Sequence, residues 1–448
     1  MRLQFLRLLL VFFILSSPTW AAGDRHVILI SIDGFAAYHL ENEDLVLPNI
    51  RELIQTGVRA ESSETVFPSV THPSHTTMIT GVSPRIHGVI NNTVRNRITG
   101  ERFHIASKPR RESIKVETLF DAAKKKGLAT AAFFWPETKQ DTAVDYNFPE
   151  AFTPDGKPDV QAMDAEFLRE LEGAGIPIRQ YLKWYEDPFL KGGADGILAE
   201  AAGYVIREYQ PNLLAIHFLV TDLVQHRYGP DHYLAHAALT TADHAVGILC
   251  QAARDAGIAE QTTFIIAADH GFHTVRQELN LHSFFAPLAG RVALHAGGWT
   301  LYVELLDTFD ADHDGAVLEK ILNEVVRIEG VSRVIRPEEL HSLGLPTYEE
   351  DPHVPGHYLV LGDIDTHLTA DPAESFQGRT AKTRPYHGHG YLPSHPRMYP
   401  LLVISGAGVH GGHRIGHVSN YDIAPTISHL LGLEMERFEG RVLKEALR

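Results

Sequence analysis

Six acidic and histidine side chains lie next to stretches whose composition predicts buried strands. Apolar, β-branched runs at 26–32, 213–220 and 263–268 lead into such residues, and a run at 401–405 follows the last of them. The six are Asp33, Asp222, His226, Asp269, His270 and His389. A single carboxylate there is most simply a helix N-cap, but four such places would meet at the one sheet edge where ligands bind. Oxygen and imidazole donors without thiolate suit zinc or manganese at a catalytic site.

A hydroxyl that could act as a nucleophile comes at the start of a predicted helix. The pattern predicts a helix over 71–80 that ends at Gly81, and Thr71 is its first residue. The positive end of the helix dipole favours an alkoxide there, and free backbone N–H groups can hold phosphate oxygens. An adjacent metal would lower the pKa of the hydroxyl further. Taken alone, Thr71 is better explained as an ordinary cap, so its interpretation depends on the clusters above.

The elements that must position these residues alternate between strands and helices. A further strand is predicted at 130–135, and helices at 49–56, 116–126, 196–209, 232–256, 316–328 and 421–431. This order predicts an α/β fold with a doubly wound, mostly parallel sheet and helices on both faces. Residues 285–384 have shorter runs separated by Gly and Pro, which predicts a small inserted α+β lobe. The catalytic domain would then comprise residues 23–284 and 385–448.

Composition disfavours several classes of protein. A formal charge of −16 with no basic stripe argues against binding to a nucleic-acid duplex. Cys250 is the only cysteine, so metal ligands must come from carboxylates and from the 27 histidines. Residues 1–22 resemble a secretory signal peptide, with Arg2 and Arg7 ahead of an apolar run that is short for a membrane span. We therefore expect a periplasmic or secreted protein with no span after signal removal; the oligomeric state is not indicated.

Taken together, these segments resemble the nucleotide pyrophosphatase/phosphodiesterase family of the alkaline phosphatase superfamily. The likeness runs from about residue 26 to 440. Besides the six residues and Thr71, it rests on His87-Gly88, Phe134-Trp135-Pro136, Tyr228-Gly229-Pro230-Asp231, Gly390-Tyr391, Asp422 to Thr426 and Leu430-Leu431-Gly432. Each motif alone is weak, whereas their order and spacing together are specific.

The resemblance implies a site and a reaction. It implies two groups of zinc ligands: Asp222, His226 and His389 for one ion, and Asp33, Asp269, His270 and the Thr71 hydroxyl for the other. Asn92 would help the Thr71 backbone N–H to bind a phosphoryl oxygen. The implied reaction is hydrolysis of a small phosphodiester or nucleotide through a phosphothreonine intermediate, with two Zn²⁺ ions or, alternatively, Mn²⁺.

Departures from the family pattern leave the substrate open. His72 stands where the family often has an aromatic residue that stacks on a nucleobase, and Ser74 where an Asn is common. A phosphomonoesterase remains the main alternative, since Arg85, Arg95 or Arg97 could supply the extra cation that a monoester dianion needs. A catalytically dead, secreted binding protein is the remote alternative, because every expected ligand and the nucleophile are present. His387 competes with His389, which is preferred because Gly-Tyr follows it.

Overall fold

The central sheet is built from short apolar runs that are buried on both faces. In a computed structural model that describes residues 24–153, 159, 162–186, 193–372 and 378–448, strand β1 (His26–Ile32) is buried along its whole length. Ile28 and Ile30 enter one hydrophobic core, and Val27 and Leu29 enter a second. Side chains of a strand alternate between its faces, so both faces of this strand are covered. The predicted signal peptide, residues 1–22, lies outside the described residues.

The strands fall into one large and three small sheets. Over the described residues they are β1, β2 (Val58–Glu64), β3 (Thr93–Arg95), β4 (Arg102–His104), β5 (Thr130–Phe133), β6 (Tyr146–Phe148), β7 (Leu213–Phe218), β8 (Thr262–Ala267), β9 (His273–Asn280), β10 (Val292–Gly297), β11 (Thr300–Leu305), β12 (Val331–Ile335), β13 (Tyr358–Gly362), β14 (Thr366–Thr369), β15 (Gly378–Gly388), β16 (Leu402–Gly406) and β17 (His413–Ser419). The large sheet has the order β17-β2-β16-β8-β1-β7-β5-β6. All of its pairings are parallel except the two that β16 makes.

Helices cover both faces of the large sheet. In the described parts of the chain they are α1 (Pro48–Thr56), α2 (Thr71–Thr80), α3 (Pro84–His87), α4 (Arg110–Ser113), α5 (Leu119–Lys125), α6 (Ala165–Gly173), α7 (Ile178–Glu186), α8 (Ala194–Tyr209), α9 (Val220–Tyr228), α10 (Tyr233–Asp255), α11 (Ala311–Val325) and α12 (Ile423–Leu431), with short 3₁₀ turns between them. Helices α1, α6, α8 and α10 pack into the first core, and α2, α5 and α12 into the second. The predicted doubly wound α/β fold is confirmed.

A third, smaller core lies mostly within the segment predicted to be an insertion. Strands β10, β11, β13 and β12 form an antiparallel sheet, and helix α11 packs on it through Leu318 and Leu322. Outside this sheet, β9 pairs with β14 and β15. The β9–β15 pairing returns the chain from the smaller core to the main sheet. The division at 285–384 stays a prediction, now supported by a separate core in that region.

Most predicted elements match the structure to within a few residues, and the differences have local causes. The strand predicted at 130–135 stops at Phe133 because Phe134 adopts a left-handed backbone with φ of 52°. The strand predicted at 213–220 stops at Phe218, since helix α9 begins at Val220. Strand β2 was not predicted: its sequence, VRAESSE, is polar in its second half, where its burial is incomplete. Pairing with β16 and β17, rather than apolar composition, places it in the sheet.

Helix α2, which begins at Thr71 as predicted, is held at its other end by a glycine. Gly81 closes the helix with φ of 70°, and its N–H donates to the Thr77 carbonyl. A Cβ atom added at this position would lie 2.6 Å from Cδ1 of Phe438. The left-handed backbone and the packed phenyl ring both require glycine here.

We expect Gly81→Ala to lower the free energy of unfolding by about 1–3 kcal/mol, because it adds left-handed strain and a steric clash. Gly196→Ala is the matched control: Gly196 lies within α8 and a Cβ there meets nothing within 4 Å. The control should raise the free energy of unfolding by up to about 1 kcal/mol. Denaturant titration measures both, and equal effects of the two variants would contradict this account of the cap.

Candidate metal centre

The fold brings the six predicted acidic and histidine residues to one edge of the large sheet. Asp33 follows β1 directly, and Asp269 and His270 follow β8. Asp222 and His226 lie one turn apart on α9, which begins just after β7. His389 follows β15, whose pairing with β9 brings it back beside the residues after β8. Parallel topology therefore collects side chains that are distant in sequence.

Three of these residues form a first group around a common point. Nε2 of His226 lies 3.2 Å from Nε2 of His389 and 3.3 Å from Oδ1 of Asp222. Nε2 of His389 lies 3.4 Å from the same Asp222 oxygen. Two imidazoles and one carboxylate in this arrangement match the donor set of a divalent metal site.

The other three residues form a second group that adjoins the first. Nε2 of His270 lies 3.2 Å from Oδ1 of Asp33 and 3.2 Å from Oδ2 of Asp269. The His270 ring stacks on the His389 ring with centroids 3.5 Å apart and planes inclined by 6°. Ligand atoms of Asp222, His270 and His389 also lie within 4.8 Å of one another, so His270 borders both groups. The site thus offers two neighbouring sets of donors.

Hydrogen bonds fix the tautomer of all three histidines. Nδ1–H of His226 donates to the His387 carbonyl at 2.8 Å, and Nδ1–H of His389 donates to the Ser69 carbonyl at 2.9 Å. Nδ1–H of His270 donates to the Gly271 carbonyl at 3.0 Å. When Nδ1 carries the proton, the lone pair of Nε2 points into the cluster, as it does in metal-ligating histidines.

Four of the donor atoms have no hydrogen-bond partner among the described residues. Among the described residues, Oδ1 of Asp33, Oδ1 of Asp222, Oδ2 of Asp269 and Nε2 of His270 are buried without a hydrogen bond. The other oxygen of Asp269 accepts from the N–H groups of Gly34 and His270 at 3.0 Å each. Leaving a buried polar atom unpaired costs about 1–3 kcal/mol. Divalent cations at the two groups would satisfy these atoms, so the residues present fit a metal.

The electrostatics of the cluster also favour positive charge. Burial and the nearby Asp33 carboxylate raise the pKa of Asp222 well above its usual range, and the same causes raise the pKa of Asp269 to about 7. Burial alone would lower the pKa of His270, yet the carboxylates of Asp269 and Asp33 raise it to about 9. Ionising three neighbouring, buried carboxylates together is unfavourable, and cations bound between them would offset that cost.

Thr71 and Asn92 lie beside this cluster. Thr71 is the first residue of α2, and Ser69, two residues earlier, supplies the carbonyl that holds His389. One turn later the Ser74 hydroxyl donates to the Asp269 carbonyl at 2.8 Å. Oδ1 of Asn92 accepts from the His72 N–H at 3.0 Å, which leaves the Asn92 amide N–H groups for another acceptor. The N–H groups of a first helical turn have no acceptor within the helix, so both residues offer donors at this point.

Sequence reasoning missed a buried layer behind the site. His217 donates to Oδ2 of Asp33 at 3.0 Å and to Oε2 of Glu150 at 3.3 Å, and these bonds raise its pKa despite its burial. His72 forms a short hydrogen bond with Glu137, and its Nε2 lies 3.8 Å from Oε1 of Glu150. The available signal was His217 itself, a histidine within the otherwise apolar strand β7.

Two other histidines are engaged outside the donor groups. Nδ1 of His387 pairs with the Thr274 hydroxyl at 2.9 Å, and His387 belongs to none of the metal-ligand groups of the described residues. Nε2 of His87 pairs with the Thr77 hydroxyl at 3.0 Å. The preference for His389 over His387 as a ligand therefore gains geometric support, although the ligand roles themselves stay proposals.

Comparison with known protein families identifies the chain. A family model described as type I phosphodiesterase/nucleotide pyrophosphatase matches residues 27–410. The chain belongs to that family. The matched segment contains the six clustered residues, Thr71 and Asn92. The family resemblance inferred from the sequence is therefore confirmed.

Individual relatives of the phosphodiesterase/pyrophosphatase chain are distant. Venom phosphodiesterase 2 of Crotalus adamanteus is 26% identical over 255 residues, covering 56% of this chain and 27% of that protein. Ectonucleotide pyrophosphatase/phosphodiesterase family member 3 of Bos taurus is 26% identical over 247 residues, which cover 55% of this chain and 24% of that protein. The match thus spans about a quarter of each relative. Murine ectonucleotide pyrophosphatase/phosphodiesterase 5, solved as an inactive variant in complex with AMP, shares the fold with a TM-score of 0.66 and 17% sequence identity. The alignment covers 95% of this chain and 100% of the murine chain.

Metal binding should stabilise the protein, because cations would bind the folded site and not the unfolded chain. We expect Zn²⁺ added to chelator-treated protein at about 100 times its Kd to raise Tm by about 5 °C. Asp222→Asn keeps the shape of the side chain but removes a donor oxygen, and it should shrink this shift by more than half. The exposed His413→Ala is the control and should respond like the wild type. Scanning calorimetry measures the shift, and an unchanged Tm of the wild-type protein on addition of Zn²⁺ would contradict the proposed metal site.

Proposed function

We propose that this protein is a metal-dependent phosphodiesterase/nucleotide pyrophosphatase that works through a phosphothreonine at Thr71. The observation that carries the proposal is the pair of adjoining donor groups beside the first turn of helix α2, four of whose atoms are buried without a hydrogen bond among the described residues. One ion would be held by Asp222, His226 and His389, and the other by Asp33, Asp269, His270 and the Thr71 hydroxyl. The donor chemistry suits Zn²⁺, with Mn²⁺ as the alternative.

The chain's own residues would carry out two displacements at phosphorus. When bound, the two cations would lower the pKa of the Thr71 hydroxyl and neutralise charge on the leaving oxygen. Thr71 Oγ forms a bond to phosphorus as the bond to the leaving oxygen breaks, and water then attacks the same phosphorus and releases Thr71. The Thr71 N–H and the Asn92 amide hold the phosphoryl oxygens while charge builds on them.

A diester is favoured over a monoester by the charge around Asn92. Asn92 is neutral, which suits the single negative charge of a diester. Of the three arginines that could supply an extra cation, Arg85 pairs with Glu350 at 3.3 Å and Arg97 donates to the Asp351 carbonyl at 2.7 Å. Arg95, which is exposed on β3, is the remaining candidate for the cation that the phosphomonoesterase alternative needs. The names of the relatives and the AMP in the murine structure support a small nucleotide or phosphodiester substrate. A phosphomonoesterase on the same metals is the alternative that the assay below separates.

We further propose that the protein acts outside the cytoplasm, in the periplasm or after secretion. The sequence of residues 1–22 supports export, as do the venom and ectoenzyme names of the relatives. No described helix is long and apolar enough to cross a membrane. N-terminal sequencing of the protein from an exporting host would contradict export if the chain still began at residue 1.

The proposal predicts a preference for diesters on zinc-loaded protein. The kcat/KM for bis(p-nitrophenyl) phosphate should exceed that for p-nitrophenyl phosphate by at least about tenfold, which corresponds to about 1.4 kcal/mol in transition-state stabilisation. The reverse preference would show that the protein is a phosphatase and that a cation acts near Asn92. No turnover of either ester by the metal-loaded protein would favour the binding-protein alternative.

The same assay tests the nucleophile. Thr71→Ala should lower kcat for the diester by about 10³-fold or more, while the Zn²⁺-dependent rise in Tm persists. Thr80→Ala is the control on the same helix, because the one hydrogen bond of its hydroxyl within the described parts of the chain goes to the Thr76 carbonyl at 2.7 Å. Retained activity in Thr71→Ala, or an equal loss in Thr80→Ala, would contradict the phosphothreonine mechanism.

A further inference from the structure

A buried carboxylate beside helix α2 has no role in the reaction proposed above. Glu137 lies in the loop between β5 and β6, and it is 1% exposed. Its backbone is left-handed, with φ of 55°, and residues with a side chain keep this conformation only where their surroundings hold it. The loop is fixed close by, since the Thr138 hydroxyl donates to the Trp135 carbonyl at 2.8 Å. Burying an unpaired carboxylate is costly, so the contacts of Glu137 must account for its place.

Both oxygens of the Glu137 carboxylate bond to helix α2. Nδ1–H of His72 donates to Oε1, and the Thr76 hydroxyl donates to Oε2 at 2.9 Å. Because His72 and Thr76 are four residues apart, they lie one above the other on the same face of the helix. Within the described part of the chain, none of the six clustered residues bonds to Glu137. One carboxylate thus joins the first two turns of the helix that begins at Thr71.

His72 transmits this restraint to the residues proposed to bind the phosphoryl group. It follows Thr71 directly in the chain, and its N–H donates to Oδ1 of Asn92 at 3.0 Å. Its ring packs edge-on against the ring of His104, with centroids 4.7 Å apart, and its Nε2 lies 3.8 Å from Oε1 of Glu150. With 1% of the residue exposed, the imidazole is closed off from a bound substrate. Any effect of His72 on turnover must therefore pass through the backbone at Thr71 or through the Asn92 side chain.

Displacement at phosphorus is sensitive to such support. The attacking oxygen must lie in line with the leaving oxygen, and a misplacement of about 1 Å can cost about 10²-fold in rate. We propose that Glu137 is a positioning residue for this reaction. By holding His72 and Thr76, the carboxylate fixes the start of helix α2, and the Thr71 hydroxyl and the Asn92 amide are thereby held in place relative to the phosphorus. This rests on the proposed function and adds to it a residue outside the set that would contact substrate or metal.

Steady-state kinetics on zinc-loaded protein tests this role. Glu137→Ala removes both bonds, and it should lower kcat and kcat/KM for bis(p-nitrophenyl) phosphate together by about 10²-fold, because the lost support acts in the transition state. KM should stay within about threefold of the wild-type value. Glu137→Gln should recover kcat to within about tenfold of the wild type, since an amide of the same shape can accept from His72 and donate to the Thr76 hydroxyl. Thr76→Val removes one of the two bonds and should lower kcat about tenfold, which keeps the test available if Glu137→Ala does not fold.

Asp243→Ala controls for a loss of stability alone. Asp243 is a carboxylate of helix α10 that is also 1% exposed, and it accepts from the N–H of Ile50 in helix α1 at 2.7 Å. This variant should lower Tm, as Glu137→Ala does, yet keep kcat within about twofold. Both variants should retain the Zn²⁺-dependent rise in Tm. An equal loss of kcat in both, a rise in KM alone, or a Gln variant as impaired as the Ala variant would overturn the positioning role.

Orthovanadate separates this proposal from the proposed function. It can adopt the five-coordinate geometry of the transition state for displacement at phosphorus, and calorimetry measures its Kd without turnover. In zinc-loaded protein, Glu137→Ala should raise this Kd about tenfold or more, whereas Asp243→Ala should leave it unchanged. If the wild type hydrolyses no phosphoric ester, the proposed function fails; a raised vanadate Kd in Glu137→Ala would still support the positioning role, and an unchanged one would overturn it. A wild type that neither turns over an ester nor binds vanadate would overturn both.

Discussion

The structure depends on how negative charge is accommodated at one edge of the sheet. Asp33, Asp222 and Asp269 are buried together there, and burial, together with repulsion from the Asp33 carboxylate, raises the pKa values of Asp222 and Asp269. Burial opposes ionisation of Asp33 too, yet its hydrogen bond with His217 and the adjacent His270 imidazole hold its pKa well below the usual range. The fold tolerates this concentration of charge because imidazoles surround it and because its free oxygen and nitrogen atoms converge where cations can bind.

Rigid surroundings hold Thr71, the proposed nucleophile, beside that charge. All ten residues of α2 are buried although most of them are polar, and the side chains of His72, Ser74, Thr76, Thr77 and Thr80 form hydrogen bonds. Thr76 donates to Glu137 at 2.9 Å, and the same glutamate pairs with His72. Through Glu150 and His217 this buried layer reaches Asp33. The helix that presents Thr71 and the carboxylate that would ligate a metal are thus set by one continuous polar network, which limits how far either can move.

The sequence predicts the parts of this site that follow from topology. Apolar runs such as β1 identify the strands of the sheet. Residues that directly follow parallel strands meet at the carboxyl edge of the sheet, so the proximity of Asp33, Asp269 and His270 could be predicted from the sequence. The buried layer of hydrogen bonds could not be predicted, because His217 bonds to Glu150 and Asp33, which are distant from it in the sequence, and no local sequence pattern indicates such contacts. The burial of α2 could not be predicted either, since the polar sequence of this helix indicates a solvent-exposed helix. The β3–β4 hairpin has strands of three residues, too short for a periodic signal.

Metal content is the most direct test of the central claim, that the two donor groups each hold a divalent cation. Elemental analysis of mature protein, loaded with Zn²⁺ and freed of excess, should give two ions per chain. His226→Ala removes a donor that only the first group uses, and it should give close to one. A wild type with less than one tightly held ion per chain would contradict the account, and so would a variant that keeps both ions.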